Sequence, residues 1–133
     1  MDIDAFKDAN VAYGRELGDI ALGKIAEKIV HTLPEGAIFG RNGGDEFVIA
    51  LFGEDAHLME SCLTELVDAQ FACEHAGARH VYTLSAGYAC SPEQVKNLHD
   101  AYSKADSALR SLRIDKTRGC RKYEPGKDRD LES

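Results

Sequence analysis

No stretch of this chain reaches the roughly 18 consecutive apolar residues a membrane helix needs, and no basic segment followed by an apolar one opens it. The sequence therefore offers neither a membrane span nor a signal peptide, and a cytoplasmic location is expected. No CxxC pair occurs: Cys62, Cys73, Cys90 and Cys120 are scattered, which reads as reduced thiols rather than a disulfide framework. Positive charge is also short. Sixteen Lys and Arg stand against 23 Asp and Glu, a net charge of -7, which excludes nucleic acid as a partner because phosphate backbones are held by clustered basic residues. An anionic small molecule stays compatible if a metal ion supplies the local positive charge. There is no internal repeat, and 133 residues make one domain with a real core.

The pattern that is present predicts alternating strands and helices. "MDIDAF" reads as a strand end, with Asp2 and Asp4 on one face. "AFKDANVAYG" reads as a short helix ending near Gly14. From Leu17, the residues Leu22, Ile25, Ala26, Ile29, Val30 and Leu33 recur at helical spacing, with Pro34 beyond the end. "AIFG" and "EFVIALF" flank Asn42-Gly43-Gly44, which is the signal of a hairpin. A second long helix carries Met59, Cys62, Leu63, Leu66 and Val67 and is expected to run to the Gly77 region. "VYTLSAGYA" alternates as a single strand, with Tyr82, Leu84, Ala86 and Tyr88 on one face. Val95, Leu98, Tyr102, Ala105, Leu109 and Leu112 mark a third long helix, and "CRKYE" a last strand. The order suits an α/β (α+β) sandwich: a mainly antiparallel central sheet flanked by helices. The domain is expected to span 1–123, with 124–133 a polar tail or linker.

The unusual stretch is "RNGGDEFVIAL". Asp2 at a strand end and Asp45-Glu46 at the hairpin mouth are expected to converge at one sheet edge. Carboxylates repel one another unless a hard cation lies between them, and Mg²⁺ takes such oxygen ligands while keeping positions open for phosphate. Two such ions can clamp both oxygens of a displacement at phosphorus. Gly43 and Gly44 let a phosphate approach the backbone. On chemistry alone this is metal-assisted phosphoryl or nucleotidyl transfer, with a solvated Gly-Gly-Asp turn as the plain alternative.

"GGDEF" at Gly43–Phe47 resembles the signature of the GGDEF family, the diguanylate cyclases. The likeness is not confined to five letters. "DIDAFKDAN" followed by "GRELGD" is similar to that family's DxDxFKxxND…GHxxGD stretch, "TLSAGYA" resembles its SxG strand, and "AYSKADSALRSL" its A-D-x-A-L helix. The resemblance implies a core like that of class III nucleotidyl cyclases and the polymerase palm. It implies condensation of two GTP into cyclic di-guanylate with loss of pyrophosphate, in an antiparallel homodimer. The cofactor implied is Mg²⁺ or Mn²⁺, two ions per GTP. Asp2 and Asp45, with the Ile3 carbonyl, match the metal ligands. Asp45 and Glu46 are the catalytic carboxylates, Glu46 matching the one implicated in activating the 3′-hydroxyl. Gly43, Gly44 and the backbone of Phe6 and Lys7 match the phosphate cradle, Lys7 adding a phosphate-contacting amine, and Asn10 and Asp19 match the pair that binds the guanine edge. Each has a plain alternative: Lys7 a solvated lysine, Asn10 a helix end, Asp19 an N-cap.

Four positions depart from the family pattern. Val11 stands for Asp, Arg15 for His and Asn42 for an aromatic. Near the C-terminus "ALRSLRIDKTRGCRKYE" fits "ALYxAKxxGRN" in two registers, so either Arg113 or Lys116 takes the phosphate-binding lysine's place, and Cys120 falls where Arg is usual. The family's N-terminal helix and most of its first strand have no counterpart before Met1, so a piece of a longer protein is expected, joined to a sensory or phosphodiesterase domain. The alternative activity is a catalytically silent GGDEF domain that binds GTP or serves regulation or dimerisation. The family's inhibitory RxxD falls on Pro34 and Ala37. Feedback inhibition through that site is therefore expected to be missing; product binding that is tight and is lost on substituting residues 34 to 37 contradicts this.

Overall fold

The structure is a computed structural model describing residues 1–51, 56–89 and 97–124, with backbone only at Ala56. Phe52, Cys90, Val95 and the expected tail at 125–133 lie outside the described residues. The chain forms two compact units, Asp2–Leu84, and Met1 with Ser85–Ser133.

The first unit holds β1 (Asp2–Ile3), α1 (Phe6–Tyr13), α2 (Arg15–Thr32), β2 (Ile38–Arg41), β3 (Phe47–Ala50), α3 (Ala56–Asp68), β4 (Phe71–His75) and β5 (Ala78–Tyr82). Helix α2 is its axis. Leu17, Ala21, Leu22, Ile25 and Ile29 recur every three or four residues and are buried, and the helix packs on α1, α3, β4 and β5. It begins two residues before the apolar stripe because Gly14, at φ +94°, ends α1 and turns the chain directly into α2. Leu33, held extended by the following Pro34, ends it. Val30, expected on the buried stripe, is 57% exposed, one position round from Ile29.

The expected hairpin is present: β2 and β3 pair antiparallel with Gly40 opposite Val48 and Arg41 opposite Phe47. The expectation fails between residues 69 and 83. Helix α3 stops at Asp68, and Phe71–His75 forms a strand paired antiparallel with Ala78–Tyr82. Its turn is Ala76-Gly77, both at positive φ (50° and 86°), the mirror-image geometry that suits the twist of a hairpin. An alanine in a place that favours Asn or Gly hides that turn from the sequence. Phe71 and Cys73 face the core while Ala72 and Glu74 face water.

"VYTLSAGYA" is likewise two strands. Thr83 interrupts it, its carbonyl accepting from the Asp4 N–H at 2.9 Å and its hydroxyl donating to the Asp4 carboxylate at 2.7 Å. Strand β6 (Leu84–Tyr88) then runs parallel to β7 (Cys120–Lys122), with Ala86 opposite Cys120. The first unit thus holds two antiparallel hairpins and the second a parallel pair, and with four described helices the arrangement is α+β. Helix α4 (Leu98–Ile114) starts at Asn97, whose side-chain oxygen accepts the Asp100 N–H at 2.8 Å, and buries Ala108, Leu109 and Leu112. Strand β6 approaches α4 so closely at Gly87 that a Cβ there meets the Ala105 carbonyl and the Leu109 N–H.

Among the described residues Cys62, Cys73 and Cys120 are free thiols, as expected. Burial raises the pKa of Cys62, with Glu65 adding to it, and of Cys73, opposed by Lys24. No helix among the described residues is long and apolar enough to cross a membrane.

Two glycines give opposite outcomes. Gly87→Ala is expected to destabilise by about 1–3 kcal/mol through overpacking against backbone. Gly23→Ala, in open space on α2, is expected to stabilise by about 0.5–1 kcal/mol through helix propensity. Melting temperatures of the two variants check both.

Candidate active site

The site grows from β1. It is only two residues long, because Ala5 takes a left-handed backbone (φ 52°) that swings the chain into α1 immediately afterwards. That conformation costs an alanine about 1 kcal/mol, a strain of the kind that gathers at functional sites. Asp4 consequently sits in the turn, tied to Thr83, and does not share a strand face with Asp2 as alternation implied. No side chain caps the N-terminus of α1, where Phe6 and Lys7 stand.

The 42–46 turn lies beside β1. Asp2 bridges antiparallel to Glu46, and the Ile3 N–H donates to the Asp45 carbonyl at 3.3 Å. The turn is closed from within. The Asn42 N–H donates to the Glu46 carbonyl at 2.8 Å, the Asn42 side chain donates to the Glu46 carboxylate at 3.1 Å, and the Glu46 N–H reaches the Gly43 carbonyl at 3.4 Å. Asn42, an unusual residue in this place, therefore works as the clasp of the loop. Gly43 needs its positive φ of 71°, whereas Gly44 adopts no such conformation and has open space around its Cα. Nothing in the fold requires glycine at 44; what its bare backbone provides is room for a ligand.

The backbone carrying Asp2, Ile3, Asp45 and Glu46 is thus brought together as expected, with Asp2 only 6% exposed. Among the described residues, however, no three acidic, His or Cys side chains gather closely enough to hold an ion alone. Mg²⁺ is held by one or two carboxylates plus substrate phosphate oxygens rather than by a protein cage, and the donors on offer are all oxygen.

Asn10 faces α2, and its side-chain oxygen is buried without a hydrogen-bond partner. Asp19 is on the exposed side of α2 and lines a groove of about 510 Å³ with Leu22, Ala26, Phe39, Arg41 and Phe47. Apolar walls with few polar groups suit a flat heterocycle. Arg41 was not singled out in the sequence; its place two residues before Gly43 was the available signal. Lys7 is exposed. Arg113, in the last turn of α4, and Lys116, just beyond it at φ 56°, belong to the second unit, where both are exposed.

Comparison with known proteins decides what this arrangement is. The family described as Diguanylate cyclase, GGDEF domain matches residues 1–118. The chain belongs to the GGDEF family. It is 32% identical over 111 residues to the bifunctional diguanylate cyclase/cyclic di-GMP phosphodiesterase MucR of Pseudomonas aeruginosa, covering 82% of this chain and 16% of that protein. It is 30% identical to the cyclic di-GMP phosphodiesterase PdeR of Escherichia coli, covering 82% of this chain and 17% of that protein. The active GGEEF domain of a Vibrio cholerae diguanylate cyclase superposes with a TM-score of 0.75 at 26% identity, covering 94% of this chain and 80% of that one. The expected cyclase-like core is therefore the fold. The GGDEF chain spans about a sixth of the length of these curated relatives.

Like charges at the turn predict a metal-free penalty. Asp45→Asn is expected to raise the melting temperature in EDTA by roughly 2 °C, as relief of an exposed charge repulsion does. The same substitution is expected to abolish the rise that Mg²⁺ gives the unsubstituted protein. Paired melts with EDTA and with Mg²⁺ measure both.

Proposed function

We propose that this GGDEF domain makes cyclic di-guanylate from two GTP, the 3′-hydroxyl of each attacking the α-phosphorus of the other with pyrophosphate leaving. The observation that carries the reading is the β1–turn junction. It holds Asp2, Asp45 and Glu46 on adjoining backbone beside a glycine, Gly44, that the fold itself does not need.

The residues divide the work. Gly43 and Gly44 present bare backbone to the triphosphate, and the uncapped first turn of α1 adds the N–H groups of Phe6 and Lys7. The Lys7 amine neutralises phosphate charge. Asp19 accepts from N1–H and the 2-amino group of guanine, a donor pair adenine does not offer, and Asn10 completes the base edge. Glu46, held by Asn42, takes the proton from the 3′-hydroxyl. Asp2, the Ile3 carbonyl and Asp45 would hold the metal. Two Mg²⁺ or Mn²⁺ ions, when bound, supply charge neutralisation at the α-phosphate and its leaving oxygen. Arg113 or Lys116 is the further phosphate contact that the family pattern implies. The α-phosphorus of one GTP and the hydroxyl of the other must come from two subunits, so the working form is a homodimer.

A second reading has one feature in its favour. Cys120 sits where the family places a phosphate-binding arginine, which suits a GTP-binding regulatory module within a longer chain carrying a sensory or phosphodiesterase domain. Incubating the purified protein with GTP and Mg²⁺ separates the two. Cyclic di-guanylate is expected, with at least a hundredfold loss for Asp45→Ala. GTP binding with no product from the dimer establishes the regulatory reading instead.

A further inference from the structure

Strand β2 raises a question that the nucleotide site does not answer. Phe39, Arg41 and Phe47 line the groove against Leu22, Gly23 and Ala26 of α2. Alternation therefore puts Ile38, Gly40, Val48 and Ala50 on the other face of the hairpin. That face carries no charge, and on it Ile38 is 60% and Val48 37% exposed. Gly40 stands in its middle without a local reason. Its φ is not positive, the register from Ile38 to Arg41 runs without a bulge, and a Cβ built on it meets nothing within 4 Å. Glycine inside a strand weakens it and, with turns and bulges set aside, marks a place where another backbone comes close.

The edge of β2 shows where that backbone fits. The Asn42 N–H donates to the Glu46 carbonyl, so residues 42 and 46 form a bonded pair. Bonded and non-bonded pairs alternate along an antiparallel ladder. Gly40 with Val48 and Ile38 with Ala50 are then bonded pairs, and the N–H and C=O groups of Phe39 and Arg41 point away from β3. Among the described residues no strand lies on that side, because the β2–β3 sheet ends there. Edge strands are commonly blunted by proline, a bulge or an inward charge. Ile38–Arg41 has none of these, and its one charge, Arg41, stands at the end.

We propose that β2 is a self-pairing edge, through which two copies of this chain join antiparallel about a two-fold axis at Gly40. The strand is its own complement. Under the two-fold, Phe39 and Arg41 exchange places, so each lies opposite the other and every outward N–H meets an outward C=O. Each such pair sets a guanidinium beside an aromatic ring, a favourable cross-strand contact. The two Gly40 residues meet at the axis as a non-bonded pair, where antiparallel chains approach most closely. The contact is isologous and closes as a dimer. Its two 42–46 turns lie at opposite ends of the paired strands, about 20 Å apart at roughly 3.3 Å per residue. It therefore does not present one nucleotide to another, and it stands independently of the GTP reading.

The test uses the full chain without nucleotide. Sedimentation velocity in reducing buffer is expected to show a monomer–dimer equilibrium with a Kd of about 100 μM, as suits a short strand pair. Gly40→Lys sets like charges opposite each other at the axis, in space that is open within one chain. It is expected to weaken the dimer about tenfold while the melting temperature stays within about 2 °C. In oxidising buffer Gly40→Cys is expected to give a disulfide-linked dimer, since the two Cβ atoms come within bridging distance. Val48→Cys, on the same face but one strand further from the axis, and the unsubstituted chain with its own four cysteines are expected to stay unlinked. A dimer that Gly40→Lys leaves intact, or a Gly40→Cys chain that links no faster than Val48→Cys, overturns the inference. A larger fall in the melting temperature of Gly40→Lys assigns the glycine a role within one chain and overturns it too. So does a chain that stays monomeric up to about 1 mM, which leaves the edge to a strand of another protein.

Discussion

The bridge that sets Asp2 opposite Glu46, with the Ile3 N–H bonded to the Asp45 carbonyl, fixes where the signature carboxylates of the first unit stand. Three carboxylates on adjoining backbone repel, and the repulsion is strongest where water is scarce, as at Asp2. Backbone hydrogen bonds do not depend on side-chain charge, so they hold the segments in place whether or not a cation is present. The cost of the clustered charge is offset by Phe47 at the start of the strand behind it, which is 2% exposed. Backbone bonding and the burial of Phe47 thus hold the turn beside β1.

The same division of labour runs through the first unit. Helix α2 is buried along one stripe and at its start sets a buried Gly18 against α1 beside an exposed Asp19 that borders the groove. Helix α1 is short and buries only Ala9, and it is located by its contacts: Phe6 tilts against Tyr82, Tyr13 stacks on His80 at 4.8 Å, and His80 meets Tyr82 edge-on at 4.7 Å. Without those aromatic contacts its eight residues have too little propensity to hold their place.

Much of this was legible in the sequence. The 3.6-residue period of α2 and α4 is dictated by one-sided burial, and Gly43 of the 42–46 turn by the need for positive φ, so both leave clear signatures. The family pattern spaced over 1–123 correctly pointed to the GGDEF fold. What was hidden has physical reasons. Strand β4 turns through Ala76, a residue that pays no heed to turn statistics because its neighbours fix its conformation. The break at Thr83 arises from a partner 79 residues away, which local periodicity does not contain. The turn at Ala5 cut β1 short and moved Asp4 off the strand face for the same kind of reason. Likewise, the clasp between Asn42 and Glu46 looks like a loss of an aromatic residue until the turn closes around it.

The pair of hydrogen bonds between Asp4 and Thr83 has a consequence for the order in which the molecule is made. Closing a loop of 79 residues costs about 4 kcal/mol of chain entropy, so this contact cannot precede the helices and hairpins it encloses. On the ribosome, the segment bearing Asp4 emerges well before Thr83 and cannot be tied to it until residue 83 has left the exit tunnel. A nascent chain shorter than that already carries its signature carboxylates but lacks the tie from Asp4 to Thr83, so synthesis of the segment and its fastening are separated in time.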